Sequence, residues 1–349
     1  MKLCCMVLAG ALLAAPILLC AGEFELLTEG RLRAERTENL PDGRDFDRLR
    51  LHAFLGTRWF SDDGNVELGA AVKLSQGTDS ERDNVRNLDN ESSDDFEIGE
   101  LYLRSAFGDH WLGEAGRTRL PFRLTPMVWD RDFRPAGASL AFDRELRTFD
   151  RLSLTLGYLA PLHIDESDSR LAGAQFGYRW REGAPTETSA SLSYLVFDDL
   201  EELTREGRAR TNSRGPDGLL LFDYTLLDLI IEQRLSVMNR PLALAVNVTK
   251  NLDPSDENEA ARFSARFGDA RDAGAWEFGY AYQRVQRDAV MAAFNEDDWW
   301  FPTRMRGFRL WAAYGITDWL TLEAAYFRER RDDLDDHVER LFVDLTWAW

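Results

Sequence analysis

Strict alternation of apolar and polar residues is the feature of this sequence that most constrains its fold. In RLRLHAFLGTRWF, residues 48–60, Leu49, Leu51 and Leu55 fall on one face of an extended chain, and Arg48 and Arg50 fall on the other. A repeat of two residues is typical of a strand with one apolar face, whereas an amphipathic helix repeats every 3.6 residues. The same alternation occurs in VELGAAVKLS, ARFSARF, WEFGYAYQ and RLFVDLTWAW. The pattern therefore predicts an all-β chain.

The segments with this pattern predict about sixteen strands, and uncertain boundaries leave counts of fourteen to eighteen open. They lie near residues 24–36, 46–60, 65–76, 96–107, 110–119, 138–148, 151–160, 170–181, 187–197, 219–234, 241–250, 260–268, 275–287, 304–314, 319–331 and 338–349.

The predicted connections alternate in length. After even-numbered strands they are short, as in SDDG (61–64) and GITD (315–318), and after odd-numbered strands they tend to be longer and acidic, as in 77–95 and 198–218. This alternation is typical of an up-and-down antiparallel sheet whose tight turns all lie at one end. In outer-membrane barrels that end faces the periplasm, and the long loops face outward.

Two architectures bury such apolar faces: a secreted β-sandwich, or a transmembrane β-barrel whose apolar face meets lipid. In a barrel, turning Arg48 or Arg50 toward lipid would cost about 2–4 kcal/mol near the midplane, so the charged face must line the lumen. The alternation of loop lengths favours the barrel. We therefore predict one transmembrane barrel domain over residues 23–349.

The N-terminus predicts export. Lys2 precedes an apolar run from Leu3 to Leu19, and small residues follow up to Gly22, which is typical of a signal peptide cleaved after residue 22. Because all three cysteines lie before residue 21, the rest of the chain can form no disulfide or thiolate site. A formal net charge of −19 argues against nucleic-acid partners. The predicted destination is the outer membrane of a Gram-negative cell.

The chain ends on an alternating strand that resembles the terminal signal of bacterial outer-membrane proteins. That signal would comprise Leu341, Val343, Leu345, Trp347 and Trp349. The resemblance implies recognition by the barrel-insertion machinery. Pairing of this strand with the first one would also remove the open edges of the sheet.

Three stretches resemble the putative-porin family of Gram-negative bacteria: GRTRLPFRLTPMVWDRDFRPAGASLAF, NRPLALAVNVTKNLD and WEFGYAYQRVQRDAVMAAFNEDDW. The resemblance implies a pore-forming barrel that passes small hydrophilic solutes and ions. Outer-membrane lipids and lipopolysaccharide are the expected surroundings. Association of three barrels into a homotrimer stays open.

A sixteen-strand barrel is wide enough to leave an aqueous lumen, which a loop can narrow. The connection 120–137 is the candidate constriction, and it carries Arg123, Asp130, Arg131, Asp132 and Arg134. The candidate basic wall opposite it comprises Arg48, Arg50, Lys73, Arg104, Arg117 and Arg119. Such a wall would prefer anions. The alternative is that these cations only pair with inward acids such as Glu67, Glu100 and Glu277.

No catalytic, cofactor or metal site is predicted. The four histidines are scattered and no G-x-S-x-G elbow occurs. Acidic runs such as NEDDWW could bind divalent cations, but they match no defined calcium loop. We therefore favour solvated loop surface or ion-mediated bridges to lipopolysaccharide for those runs. A non-conducting structural or adhesive barrel, and less strongly an outer-membrane hydrolase, remain alternatives to the porin.

Overall fold

The computed structural model describes residues 22–41, 43, 45–78, 96–147, 149–161, 169–205 and 208–349. Nearly all of the predicted signal peptide lies outside these residues, so its cleavage stays a prediction. Among the described residues, no helix has both the length and the apolar content needed to cross a membrane.

The chain forms a closed barrel of sixteen antiparallel strands, which confirms the predicted fold class. Each strand pairs with its neighbours in the sequence, and the first pairs with the last. The strands are β1 (Glu23–Glu38), β2 (Phe46–Phe60), β3 (Val66–Gly77), β4 (Phe96–Phe107), β5 (Trp111–Arg117), β6 (Ala136–Arg147), β7 (Asp150–Ala160), β8 (Arg170–Trp180), β9 (Thr186–Asp198), β10 (Tyr224–Val237), β11 (Arg240–Asn251), β12 (Glu259–Gly268), β13 (Trp276–Val285), β14 (Met305–Thr317), β15 (Leu320–Arg331) and β16 (Val338–Ala348).

The two faces of the sheet have the predicted polarity. Leu229, Val246 and Leu341 point outward and keep 39–47 % of their surface exposed. Their sequence neighbours Asp228 and Arg340 point inward and are buried. The apolar band on the outside therefore suits hydrocarbon, and the charges lie inside the barrel.

The last residues of the chain take part in closing the barrel. In the pairing of β1 with β16, Gly30 lies opposite Trp347. Beyond this ladder, Thr28 donates its N–H to the carbonyl of Trp349 (3.1 Å) and accepts the N–H of Trp349 (2.7 Å). A Cβ on Gly30 would lie 2.3 Å from the Trp347 ring, so glycine is needed at this close approach. The C-terminal tryptophans thus belong to the seam, which is the pairing of β1 with β16 that closes the barrel.

The connections also alternate in length as predicted. Short turns such as 238–239 and 318–319 lie at one end, and long connections such as 118–135, 199–223 and 286–304 lie at the other. Nearly all of the predicted connection 77–95 lies outside the described residues. The tenth strand begins at Tyr224 rather than 219, because residues 213–221 turn back on themselves and Leu221 donates its N–H to the carbonyl of Ser213. A short helix, α1 (Glu201–Arg205), lies in the same connection.

Candidate constriction inside the barrel

The 118–135 segment, which joins β5 to β6, crosses the interior of the barrel. Its first half reaches strands far from β5. Arg123 donates its backbone N–H to Gln175 on β8 (2.9 Å), and its guanidinium donates to Ser189 on β9 (2.9 Å) and Glu232 on β10 (3.1 Å). Thr125 donates its hydroxyl to Asn247 on β11.

The second half of this segment returns to the first strands. Asp132 forms an ion pair with Arg31 on β1 (3.0 Å). Arg134 donates to Glu100 on β4 (2.8 Å) and to Glu29 on β1 (2.7 Å). Because β1 and β4 lie across the ring from β8–β11, one segment can contact both sets only by spanning the lumen. The position of this segment, left open by the sequence, is thus inside the barrel.

The aromatic ring of Phe122 fixes the start of the 118–135 segment. This side chain is 5 % exposed and lies over Gly157 on β7 and Gly173 on β8. A Cβ at those glycines would lie 2.9 and 2.6 Å from the ring, closer than carbon atoms can approach. The two glycines therefore leave a flat surface on the lumen wall, here called the glycine seat. Phe122 packs on this seat and so holds the 118–135 segment against the wall.

A second connection, the 286–304 segment between β13 and β14, also fills the interior. Trp299 packs edge-on against Phe327 of β15, with ring centroids 5.2 Å apart. Trp300 and Phe301 donate their backbone N–H groups to Glu329 of β15 (2.7 and 3.0 Å). The sequence interpretation of NEDDWW as solvated surface is wrong, since each of these six residues except Trp300 is buried.

The other end of the 286–304 segment is tied to β10 and to the 199–223 connection. Asp288 accepts hydrogen bonds from the hydroxyls of Ser213 (2.6 Å) and Tyr224 of β10 (3.0 Å). Asn212 donates to the carbonyl of Val290 (3.0 Å) and accepts the N–H of Ala292 (3.0 Å). The apolar run AVMAAF in this segment was the signal that could have predicted its burial.

Arg33 on β1 is the main charged anchor of the 286–304 segment. Its guanidinium contacts Asp298 of the segment (2.5 Å) and Asp344 of β16 (2.7 Å), and it stacks on the Phe342 ring at 4.0 Å. Burial opposes ionisation of Asp298, but the charges of Arg33 and Arg31 outweigh it and hold the pKa of this carboxyl well below its usual value. Arg33 was not among the residues predicted from the sequence.

The predicted basic residues point into the barrel, and each has an acidic partner. Arg48 and Arg50 are buried beside Glu35, at 2.9 and 3.6 Å. Lys73 and Arg117 both contact Glu97, at 2.6 and 3.5 Å. The remaining pairs are Arg104 with Glu67 and Glu114, and Arg119 with Glu29. Arg131 lies on the crossing segment, where its side chain is exposed and its charge acts on Glu296. A role of these residues in selectivity stays a prediction.

Exposure differs between the two members of most lumen ion pairs. The side chain of Arg119 is 60 % exposed and Glu29 is 22 % exposed, and Arg266 is 50 % exposed where its partner Glu277 is 15 % exposed. The pairs of Arg104, Arg123 and Arg234 follow the same order, whereas those of Arg31, Arg33, Arg134 and Arg309 do not. In most of these pairs the guanidinium group is therefore more exposed than the carboxylate it contacts.

Residues 233–346 match the model of the family described as "Putative porin", which confirms the resemblance over that part of the chain. Similar solved structures include OprB of Pseudomonas putida at high pH (12 % identity, 93 % of this chain and 94 % of that chain, TM-score 0.64). OmpF of Salmonella typhi in complex with daunomycin is also similar (10 % identity, 94 % and 98 % covered, TM-score 0.59). No curated protein matches the sequence. At these identities the structural likeness shows the fold.

Proposed function

We propose that this chain is an outer-membrane porin, which passes small hydrophilic solutes and ions by passive diffusion through a water-filled channel. The observation that carries the proposal is the 118–135 segment, which crosses a closed sixteen-strand barrel and is bonded to strands on both sides. A barrel of this strand number encloses water unless something narrows it. The family match over residues 233–346 and the fold of OprB and OmpF support the same assignment.

We propose further that the channel prefers anions. Selectivity follows the sign of the charges that line the pore at its narrowest part. In most lumen ion pairs the arginine is the more exposed member, so a passing ion would meet positive charge first. Arg119 and Arg123 carry such exposed charges on the crossing segment itself.

Purified protein in a planar bilayer tests both proposals. Stepwise conductance is expected, and the reversal potential under a salt gradient should show anion preference. The Arg119→Gln variant should reduce that preference, because Glu29 keeps its bond to Arg134 and the lost charge is the one facing water. Arg271→Gln, in an exposed turn, is the matched control and should behave as the wild type. Cation preference in the wild type would refute the second proposal.

A non-conducting structural barrel is the second candidate. It is favoured by the apolar cluster in the lumen, where the Phe294 ring stacks between Trp129 (5.6 Å) and Phe197 (5.5 Å). A bilayer that stays silent over the full range of protein concentration would support this candidate and refute the porin.

The cellular context is also proposed. Export with cleavage after residue 22, insertion through the terminal strand, contact with lipopolysaccharide and association into a trimer are supported by the leader pattern and by the fold class. N-terminal sequencing of the protein from isolated outer membranes, followed by chemical cross-linking, tests the leader and the oligomer.

A further inference from the structure

Three buried carboxyl groups meet where the two crossing segments touch. Asp130 comes from the 118–135 segment, and Glu296 and Asp297 come from the 286–304 segment. One carboxylate oxygen from each residue lies within 4.8 Å of the other two. The three residues are 0 %, 4 % and 1 % exposed. Like charges at this separation repel one another strongly unless something neutralises them.

The backbone, rather than the side chains, brings the acids together. Asp130 donates its N–H to the carbonyl of Phe294 (2.7 Å), and Glu296 donates its N–H to the carbonyl of Pro126 (2.9 Å). These two reciprocal bonds fix one segment against the other on both sides of the cluster. The carboxylates are therefore placed by the fold in a position that their own electrostatics oppose.

Neighbouring groups contact or act on each of the three acids. Asp130 accepts the N–H of Asp132 (2.7 Å), and Arg50 lies 3.9 Å from Asp297. Arg131 acts on Glu296 through its charge. Among the residues that the structure describes, however, no hydrogen-bond donor reaches Oε1 of Glu296. A buried carboxylate oxygen without a donor is costly, because it has lost its water and gained nothing in exchange.

We propose that Asp130, Glu296 and Asp297 bind a divalent cation, for which Ca²⁺ is the best fit. Ca²⁺ takes six to eight oxygen ligands at about 2.3–2.6 Å, so oxygens that share one ion lie within roughly 5 Å of each other. Three carboxylates, each able to bind through one or two oxygens, meet that need without nitrogen or sulfur ligands. Mg²⁺ fits less well because it demands a near-ideal octahedron.

A bound cation would offset the mutual repulsion of the three carboxylates. The ion would join the two crossing segments, and its binding does not depend on whether the barrel conducts.

Terbium luminescence tests the site directly. Tb³⁺ takes the same oxygen ligands as Ca²⁺, and Trp129 and Trp299, next to the cluster in the sequence, can transfer energy to it. Addition of TbCl₃ to the detergent-solubilised protein should give saturable emission under tryptophan excitation. Ca²⁺ should displace it at lower concentration than Mg²⁺. Equal displacement by both cations would overturn the assignment to Ca²⁺.

Two charge-neutral variants separate this site from the acidic surface. Glu296→Gln should weaken Tb³⁺ binding by at least about 10-fold, because it removes one of the three proposed ligands and the loss of a supporting group alone costs about 10–100-fold. Asp256→Asn, in an exposed loop, is the control and should leave binding unchanged. Equal emission from Glu296→Gln and the control would refute the proposal.

A stability measurement covers the case in which Glu296→Gln does not fold. Ca²⁺ should raise the unfolding temperature of the wild type relative to EDTA, because it binds only the folded state. Asp297→Asn should abolish that shift, and Asp256→Asn should keep it. A wild type that melts at the same temperature in Ca²⁺ and in EDTA would refute the proposal without any variant.

Discussion

Replacing Arg33 with methionine should detach the 286–304 segment from the barrel wall. The substitution keeps most of the side-chain volume but removes the charge that holds Asp298 (2.5 Å) and Asp344 (2.7 Å). Both carboxylates would stay in a site where Arg33 itself is 2 % exposed. Removing one partner of a buried ion pair costs about 3–5 kcal/mol, because the remaining charge has no compensation. The expected loss of unfolding free energy lies in that range.

Urea unfolding of the refolded protein in lipid vesicles, followed by tryptophan fluorescence, measures this loss. Arg36→Met is the matched control, since Arg36 lies on the same strand but points outward to solvent and pairs with the exposed acids Glu38 and Asp47. That control should unfold at the same urea concentration as the wild type, because exposed ion pairs contribute little.

A double variant separates loss of the anchor from general damage to β1. Adding Asp298→Asn to Arg33→Met removes one of the two stranded charges, so the double variant should be more stable than Arg33→Met alone. In planar bilayers, Arg33→Met should also show noisier open-channel current because the segment is no longer fixed. Stability equal to that of the wild type, with quiet current, would refute the anchoring role of Arg33.

Three further predictions concern the outward face of the barrel wall, the glycine seat under Phe122 and the β1–β16 seam. Leu229→Arg should destabilise the barrel in vesicles by about 2–4 kcal/mol on urea unfolding, whereas Leu229→Ile should change it little, because Leu229 faces outward. Phe122→Ala should cost about 3–5 kcal/mol by the same measurement and increase single-channel conductance, because the crossing segment leaves its glycine seat. Deletion of Trp349 should lower the yield of folded, heat-modifiable barrel on gels, because the two backbone bonds to Thr28 are lost; an undiminished yield would contradict this role in closure.

The strand pattern was predictable because lipid and lumen impose opposite demands on successive residues. Leu49 and Leu51 could not exchange faces with Arg48 and Arg50 without turning charge toward hydrocarbon. That constraint acts on each strand separately, so it can be read locally. The closed barrel then follows, since open sheet edges do not occur in a bilayer.

The interior could be predicted only in part. The 120–137 connection was identified through its resemblance to a family, and its contacts with β8–β11 place it inside the barrel. Its role as a constriction stays a prediction. The 286–304 segment was missed because its acids looked like solvated loop surface. Asp298 can be buried because Arg33, which is far away in the sequence, supplies the opposite charge. Pairing between such distant residues leaves no local periodicity.

The crossing segment also sets an order of assembly. Its partners on the first strands are made before it, but Ser189, Glu232 and Asn247 follow it by 66, 109 and 122 positions. The segment therefore cannot settle until the later half of the ribbon has curled around to meet it. A partly assembled sheet has its first strands in place, but the 118–135 segment does not yet span the lumen. The proposed constriction therefore takes its shape only after β8–β11 are in place.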